Sequence, residues 1–419
     1  MTRKLSVVIA FLVMMGAFAV APTETQAQSE KQVWAYYMGF WFGPGSWDPV
    51  GGLLDDRPAR GSYDVRDGGT MGAQIDEAKG AGIDAFIFNW RAFPEEDQAL
   101  SNALDRANER GFKIGISIDA FGGGDLGTIT GAIGGAQGRL GHPAYLRYQG
   151  KPVLFFAFQG NAGLTAAQWV ELRNQFDPNR DQIWMAEGLS GCCIYSGAMD
   201  GMWAFNLAWS NGSAGRMASE RSAVTSRGGT LYVPTIHPGW DETKIAAEQG
   251  RTNPTSPRAR NNGAFLRTSF QNATNIGSDV ILIVSWNEFL ENSHIEPSTT
   301  YGTQSLDTLR PLIATWKGTG SAEETTAEAD GESSAAPAAA EAAVPTGITF
   351  TLGFNGNVRQ GPSSNAAVLG QAAFGSVLEA TGRSADNAWV RVNFNGQSGW
   401  VSLTIGTLSQ NIAGLPVAG

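Results

Sequence analysis

Two glutamates three residues apart, Glu288 and Glu291, lie in Ser285-Trp286-Asn287-Glu288-Phe289-Leu290-Glu291, directly after the β-rich run Asp279-Val280-Ile281-Leu282-Ile283-Val284. Two carboxylates at one pocket can divide acid and base roles, which is the chemistry of glycosidic bond cleavage. On a regular strand, side chains three apart point to opposite faces. The pair therefore converges only if the chain leaves the strand after Ser285 and turns. The competing reading of Glu-x-x-Glu is structural, with one carboxylate capping or salt-linking the next segment and the other solvated.

Around this segment, apolar β-rich runs alternate with amphipathic stretches, the pattern of parallel strands joined by helices. Strands are expected at about Val33–Trp41, Ile83–Trp90, Phe112–Asp119, Pro152–Phe158, Ile183–Glu187, Gly201–Leu207, Thr230–His237 and Asp279–Ser285. The best-marked helices are Met71–Gly80, Asp97–Arg110, Thr165–Phe176, Asn262–Asn275 and Ser305–Lys317. Eight β/α units over residues 28–318 predict an α/β fold, a (β/α)8 TIM barrel with its chemistry at the C-terminal strand ends.

Those ends supply the candidate substrate contacts: Tyr37, Trp41, Asp64, Trp90, Asp119, Glu187, His237, Trp240, Asp241, Trp286, Asn287 and His294. Trp and Tyr can stack on sugar faces while Asp, Asn and His fix hydroxyls. Each has a plainer reading too. Asp64 can pair with Arg66, Trp41 and Trp90 can fill the barrel top, and Asp119 or Glu187 can cap a helix. The chain has 3 histidines and no His-x-x-x-His or carboxylate–His spacing, so the expected chemistry uses no metal or cofactor.

A formal charge of −10 without a Lys/Arg cluster argues against a nucleic-acid partner. Only 16% of residues are charged, against 13 Trp, 21 Phe and 54 Gly, a balance suited to a large core, tight loops and aromatic platforms for a weakly charged ligand. Met1-Thr2-Arg3-Lys4, an apolar run from Leu5 to Val20 and small residues ending at Ala27 have the layout of a secretory signal, so residues 1–27 are expected to be removed and the mature chain to be secreted or held in a bacterial envelope with no membrane span. The two cysteines, Cys192 and Cys193, are adjacent and cannot staple distant segments; a vicinal disulfide and a pair of thiols both remain open.

Residues 319–345 turn to Ala, Glu, Ser and Pro with no aromatic residue, the composition of a flexible acidic linker. Beyond it, residues 346–408 alternate with period two between Gly and Asn turns, as small β-barrels do. Asn357-Val358-Arg359-Gln360-Gly361-Pro362 and Gly399-Trp400-Val401 resemble the bacterial SH3-like domain, which implies attachment, with cell-wall peptide as the expected partner.

The residues around the glutamate pair also carry a resemblance. Ser285 to Glu291, then His294-Ile295-Glu296-Pro297 and Tyr301-Gly302, resemble the strand-eight signature of glycoside hydrolase family 99, the endo-α-mannosidase family, and the related family 71/99-like proteins. The likeness extends through Tyr63-Asp64-x-Arg66-Asp67, Ala78-Lys79-x-Ala81-Gly82-Ile83-Asp84, Tyr148-Gln149-Gly150-Lys151-Pro152-Val153 and Pro238-Gly239-Trp240-Asp241. It implies retaining cleavage of an internal α-linkage in a polysaccharide. Glu288 would draw the proton from the sugar 2-hydroxyl, so that this oxygen attacks C1 and gives a 1,2-anhydro sugar, with Glu291 as general acid/base. The family reads Trp-His-Glu-Gly-Thr-Gln after its first Glu, whereas this chain reads Phe289-Leu290-Glu291-Asn292-Ser293-His294. Both carboxylates are kept and the intervening His is absent, which leaves the sugar open among α-mannans, α-glucans and other envelope polysaccharides. Two other functions fit parts of the pattern: a wall-anchored carbohydrate-binding protein without turnover, and a polysaccharide-assembly glycosyltransferase, which export and the lack of a phosphate-cradling loop disfavour.

Overall fold

The computed structural model describes residues 31–119, 125–188, 197–319 and, between 348 and 418, all but 353–355, 364–365, 373–375, 386–387, 404–405 and 411–413. The expected signal segment, Cys192 and Cys193, and the expected linker apart from Thr319 lie outside the described residues. The chain divides into two compact units, residues 1–322 and 323–419.

The first unit is built on strands β1 (Gln32–Tyr37), β2 (Ala85–Trp90), β3 (Lys113–Asp119), β4 (Arg147–Tyr148), β5 (Lys151–Ala157), β6 (Ile183–Glu187), β7 (Gly201–Trp203), β8 (Leu231–Tyr232), β9 (Thr235–Ile236) and β10 (Val280–Ile283). Their order is β8-β7-β6-β5-β3-β2-β1-β10-β9, every neighbour parallel, with β4 a short antiparallel addition to β5. Runs such as Ala85–Trp90 and Val280–Ile283 are buried throughout, as strands covered on both faces must be. Helices follow the strands, and their boundaries obey capping chemistry. Asp67 and Asp125 accept the amides of Thr70 and Thr128, Thr165 and Gln168 form a capping box, and Gly111 ends Pro94–Arg110 in the left-handed region at φ 62°. Among the described residues no helix is long and apolar enough to cross a membrane.

The two ends of the strand order, β8 and β9, are separated by Val233 and Pro234 alone. They are halves of the expected seventh strand, Thr230–His237. Proline has no N–H to give a ladder, so the lower half bonds to β7, the upper half to β10, and the ring closes through the break. Side chains fill the place of the missing ladder at the top. Thr235 Oγ1 donates to the Ala204 carbonyl at 2.5 Å, and His237 accepts the Leu207 N–H on Nε2 at 3.0 Å while its Nδ1 meets the Val284 carbonyl at 2.9 Å. This pair of partners requires neutral imidazole with the proton on Nδ1, and burial holds the ring in that form by lowering its pKa to about 4.

Inside the ring, aromatic rings interlock: Trp34 meets Phe155 edge-on at 5.8 Å and Tyr36 stacks on Trp203 at 5.1 Å. The alternate residues face outward, where Tyr37 stacks on Phe88 at 5.4 Å and donates to Gln74 of helix Gly68–Gly80. This period-two parity decides which side chains reach the top of the barrel.

The second unit is an antiparallel sheet of β11 (Ile348–Leu352), β12 (Gly356–Arg359), β13 (Val368–Ala372), β14 (Val377–Arg383), β15 (Trp389–Phe394), β16 (Gln397–Ser402) and β17 (Gly406–Leu408), in the order β13-β12-β16-β15-β14-β11-β17. Its core, around Phe350, Val358, Val390, Val392 and Val401, shares no member with the barrel core. Because each unit buries its own apolar surface, residues 28–318 are expected to fold alone; an insoluble or unstructured fragment by circular dichroism would contradict this.

Candidate active site

The strand that carries the glutamate pair ends at Ile283, and the chain then turns back on itself. Ser285 N–H donates to the Ser293 carbonyl at 2.8 Å and Ser293 N–H to the Glu288 carbonyl at 3.1 Å, closing a tight loop over 285–293. Ser285 Oγ accepts the Glu288 amide at 2.7 Å. Asn292 takes φ 50°, a left-handed value that asparagine tolerates better than most side chains. This turn presents both carboxylates to one cavity of about 700 Å3 at the C-terminal ends of the strands.

Asn287, inside the turn, bonds outward. Its Oδ1 accepts the Met38 N–H at 2.7 Å and its Nδ2 donates to the Met38 carbonyl at 3.1 Å and to Tyr63 Oη at 3.0 Å. Tyr63 hydroxyl in turn donates to Glu296, which also receives Arg60 and Gln74. On the far side of the turn, His294 stacks on Phe289 at 4.0 Å and gives Nε2–H to Asp56 at 3.1 Å. Burial, reinforced by the Arg260 cation, lowers the His294 pKa to about 3, so this ring is neutral.

The two catalytic candidates sit in unlike settings. Glu288 Oε1 accepts the Leu290 amide at 2.8 Å, whereas Glu291 Oε2 is buried with no protein partner, its backbone carbonyl receiving the Asp241 N–H at 2.8 Å. Burial pushes both carboxyls up. For Glu288 the Leu290 and Glu291 amides work against that rise; for Glu291 burial is reinforced by the Glu288 charge beside it, and its pKa stands far higher than an ordinary glutamate's. Two such groups titrate as a pair, with Glu291 raised the further of the two.

Tyr36, Asn89, Asp119 and Glu187 also line the cavity. Asn89 Nδ2 donates to Asp119 at 2.8 Å and to Tyr36 Oη at 2.9 Å, and Tyr36 Oη to Ser117 at 3.1 Å. Glu187 accepts the Phe158 amide at 3.0 Å, and burial raises its pKa. The third wall is the segment after β9: Trp240, Glu242, Gln249, Arg251 and Thr255. Trp209, 49% exposed, stands at the rim, backed by Arg216 at 4.8 Å and Arg258, which donates to the carbonyls of Ala208 and Trp209.

Of the twelve substrate contacts expected from sequence, Asp119, Glu187 and Trp240 line the cavity with Glu288 and Glu291. The other nine are placed elsewhere, each for a physical reason. Tyr37 and Trp90 have outward parity; Trp90 Nε1 donates to Asp97 at 3.0 Å. Trp41 is stacked on Trp47 at 3.8 Å and Trp286 packs against Phe86 at 5.0 Å, both buried. Asp64 is held by Arg66 at 2.6 Å, and Asp241 accepts the Thr243 amide at 3.0 Å. His237 closes the barrel seam, and Asn287 and His294 brace the turn from behind. Tyr36 and Glu242, each one residue from an expected contact, and Arg251 are cavity residues that sequence reasoning missed.

Residues 48–310 match glycosyl hydrolase family 99, and residues 355–404 match the bacterial SH3 domain. A glycoprotein endo-alpha-1,2-mannosidase-like protein of Mus musculus is 24% identical over 279 residues, 60% of this chain and 60% of that protein. The glycoprotein endo-alpha-1,2-mannosidase of Xenopus laevis is 23% identical over 57% of each chain. The chain thus spans less than two thirds of the curated relatives it matches. Among solved structures, the GH99 endo-alpha-mannosidase from Bacteroides thetaiotaomicron aligns with TM-score 0.60 at 21% identity, covering 70% of this chain and 99% of its own, a likeness of fold. The family match covers well over half of the 419 residues and includes the turn with Glu288 and Glu291, so the chain belongs to glycosyl hydrolase family 99 and carries a bacterial SH3 domain after its barrel.

Proposed function

We propose that the protein is an exported, endo-acting, retaining glycosidase that cleaves internal α-linkages of a mannan-like polysaccharide. The observation that carries the reading is the division between the two buried carboxyls. Glu288, fixed by a backbone amide, is the base that takes the 2-hydroxyl proton as that oxygen attacks C1. Glu291, with an unpartnered oxygen and a strongly raised pKa, holds the proton the leaving oxygen needs. In the second half-reaction Glu291 accepts a proton from water as it opens the 1,2-anhydro ring, and Glu288 returns its proton to O2. Trp240, whose Nε1 has no protein partner, and the Asp119 and Glu187 carboxylates would meet sugar hydroxyls in the cavity. Export rests on the signal-like residues 1–27, and the C-terminal domain would hold the enzyme to cell-wall peptide.

The test is release of oligosaccharides from α-mannans, α-glucans and bacterial surface polysaccharides, read by mass spectrometry for the intact protein beside Glu291→Gln. Products from the parent alone support hydrolysis; binding of the same glycan by both proteins without products would instead mark a carbohydrate-binding barrel.

Trp209 offers an exposed ring at the cavity mouth, positioned to stack on a sugar beyond the cleaved linkage. Trp209→Ala is expected to cost about 1 kcal/mol of binding, a rise in KM of roughly fivefold, with kcat little changed. An unchanged KM on long substrates would remove Trp209 from the binding surface.

A further inference from the structure

The wall nearest Glu291 carries an ion pair that no step above uses. Glu242 is 4% exposed, yet both its oxygens are engaged: Oε1 accepts the Thr255 amide at 2.7 Å and Oε2 meets Arg251 Nη1 at 2.5 Å. Arg251 Nε is in turn held by Gln249 at 2.9 Å. The pair is anchored to the turn through its neighbour, since the Asp241 N–H donates to the Glu291 carbonyl. Glu242, Gln249, Arg251 and Thr255 line the same cavity as Glu291, whose Oε2 has no partner.

We propose that Glu242 and Arg251 are positioning residues for the catalytic proton: the Glu242 carboxylate holds it on Glu291, and the Arg251 cation limits how firmly it is held. This rests on the assignment of Glu291 as general acid. The charges that face Glu291 are Glu288 from its own turn, Glu242 and Arg251 from the segment after β9, and, across the cavity, Arg91, Asp119 and Glu187 from the strand ends. Arg91 is tied to buried Glu96, which leaves Arg251 as the cation acting on the Glu291 side. Within the wall pair Glu242 has the greater influence on Glu291, and the geometry says why. Its carboxylate is buried, whereas the Arg251 side chain is 41% exposed and its field is screened by water.

Glu242 is itself kept ionised: burial alone would raise its pKa, but the Thr255 amide and Arg251 outweigh that and hold it below the usual glutamate range. A permanently charged carboxylate beside an acid that must stay neutral is the arrangement that retains a proton at neutral pH. Exchange of either partner for a neutral side chain therefore moves the Glu291 proton in opposite directions, which a role confined to packing does not predict.

The test is a carboxyl 13C NMR titration of the full-length protein, with Glu291 assigned by the signal that Glu291→Gln removes; it needs no turnover. Glu242→Gln is expected to lower the Glu291 midpoint by about one pH unit and Arg251→Gln to raise it by a comparable amount, while the double variant lies between them. The charge-conserving variants Glu242→Asp and Arg251→Lys are expected to stay within a few tenths of the parent and serve as the comparison should a neutral variant fold poorly. Equal midpoints in parent, single and double variants, or shifts of the same sign in both singles, would overturn the proposal. The alkaline limb of kcat on a hydrolysed glycan should move in the same directions. Opposed NMR shifts in a protein that cleaves none of the glycans tested would uphold the charge pair and sink the hydrolase reading instead.

Discussion

The Glu291→Gln variant is expected to lose about 10²–10⁴ of kcat on an α-linked glycan, and to release phenolate from an aryl glycoside in a fast first turnover, since the phenolate departs without a proton, before opening of the 1,2-anhydro ring limits the next. The physical reason lies in what the amide can still do. The substituted side chain would keep the volume, and the contact with the Asp241 N–H would survive because it uses the main-chain carbonyl; the transferable proton and the carboxylate that takes one back from water would be lost. Glu288→Gln should suffer on both substrates, since the base that activates O2 is required whatever the leaving group. The same logic sets the pH dependence. Burial and the Glu288 charge raise the Glu291 pKa far above the ordinary glutamate range, so protonated acid persists through neutral pH and its loss sets an alkaline limb, while protonation of the Glu288 base, whose pKa burial raises to about 7, sets an acid limb. In Glu291→Gln assayed on the aryl substrate that alkaline limb should vanish. Equal losses of the first-turnover rate on both substrates, or an alkaline limb on that rate that survives, would take the acid role away from Glu291.

The second large effect is on stability. Asp56→Ala is expected to destabilise the barrel by about 3–5 kcal/mol, the scale of removing one member of a buried charge cluster. Asp56 is 4% exposed and accepts His294 Nε2–H, Thr299 Oγ1 and the Thr300 amide, while Arg260, 6% exposed, lies beside His294 at 3.3 Å. Its loss strands the N–H donors of Arg57, His294 and Thr300 and the Thr299 hydroxyl, and removes an anion that acts on the buried Arg260 guanidinium. The carboxylate's pKa is depressed in the fold because these donors outweigh the cost of burial, so its contribution is present above the unfolded aspartate value, about 3.9, and disappears as the pH falls below it. Urea titration at pH 7 reads the difference. A midpoint within experimental error of the parent would show that the cluster contributes little. Because this cluster braces His294 behind the turn, the variant should also lose activity at temperatures well below its unfolding.

The barrel was legible because strand runs buried on both faces are apolar without interruption, and Val280–Ile283 followed by Ser285 and a pair of carboxylates marks one such strand and its end. The turn itself followed from parity: residues 288 and 291 cannot share a face of a strand, and Ser293 and Ser285 close the loop that lets them meet. By the same parity, applied to the neighbouring strands, Tyr36 rather than Tyr37 and Asn89 rather than Trp90 reach the cavity. Side-chain chemistry alone points instead to the aromatic ring that faces the helices. Asp241 and Glu242 pose the same problem in a loop, where no period exists to decide which of two adjacent acids turns inward; Asp241 accepts the amide and hydroxyl of Thr243, and Glu242 lines the cavity. The break at Pro234 was visible as a residue, and its consequence was not. Only the partners of the strands on either side show that His237, which resembles a ligand in sequence, completes a wall.

That seam has a consequence for how this barrel can diversify. Elsewhere in the ring a strand is tied to neighbours on both sides by ladder amides, and altering the loop above it disturbs two seams at once. At the split seventh strand the ladder to β7 stops below the break, the top of that seam rests on the Thr235 hydroxyl and one imidazole, and the adjoining excursions, 204–213 and 238–263, bring Trp209, Trp240, Glu242 and Arg251 to the cavity. Loops there can lengthen, shorten or exchange their polar residues while His237 keeps the ring shut. Lineages that share this scaffold would therefore be expected to acquire new glycan preferences chiefly along this one edge of the mouth.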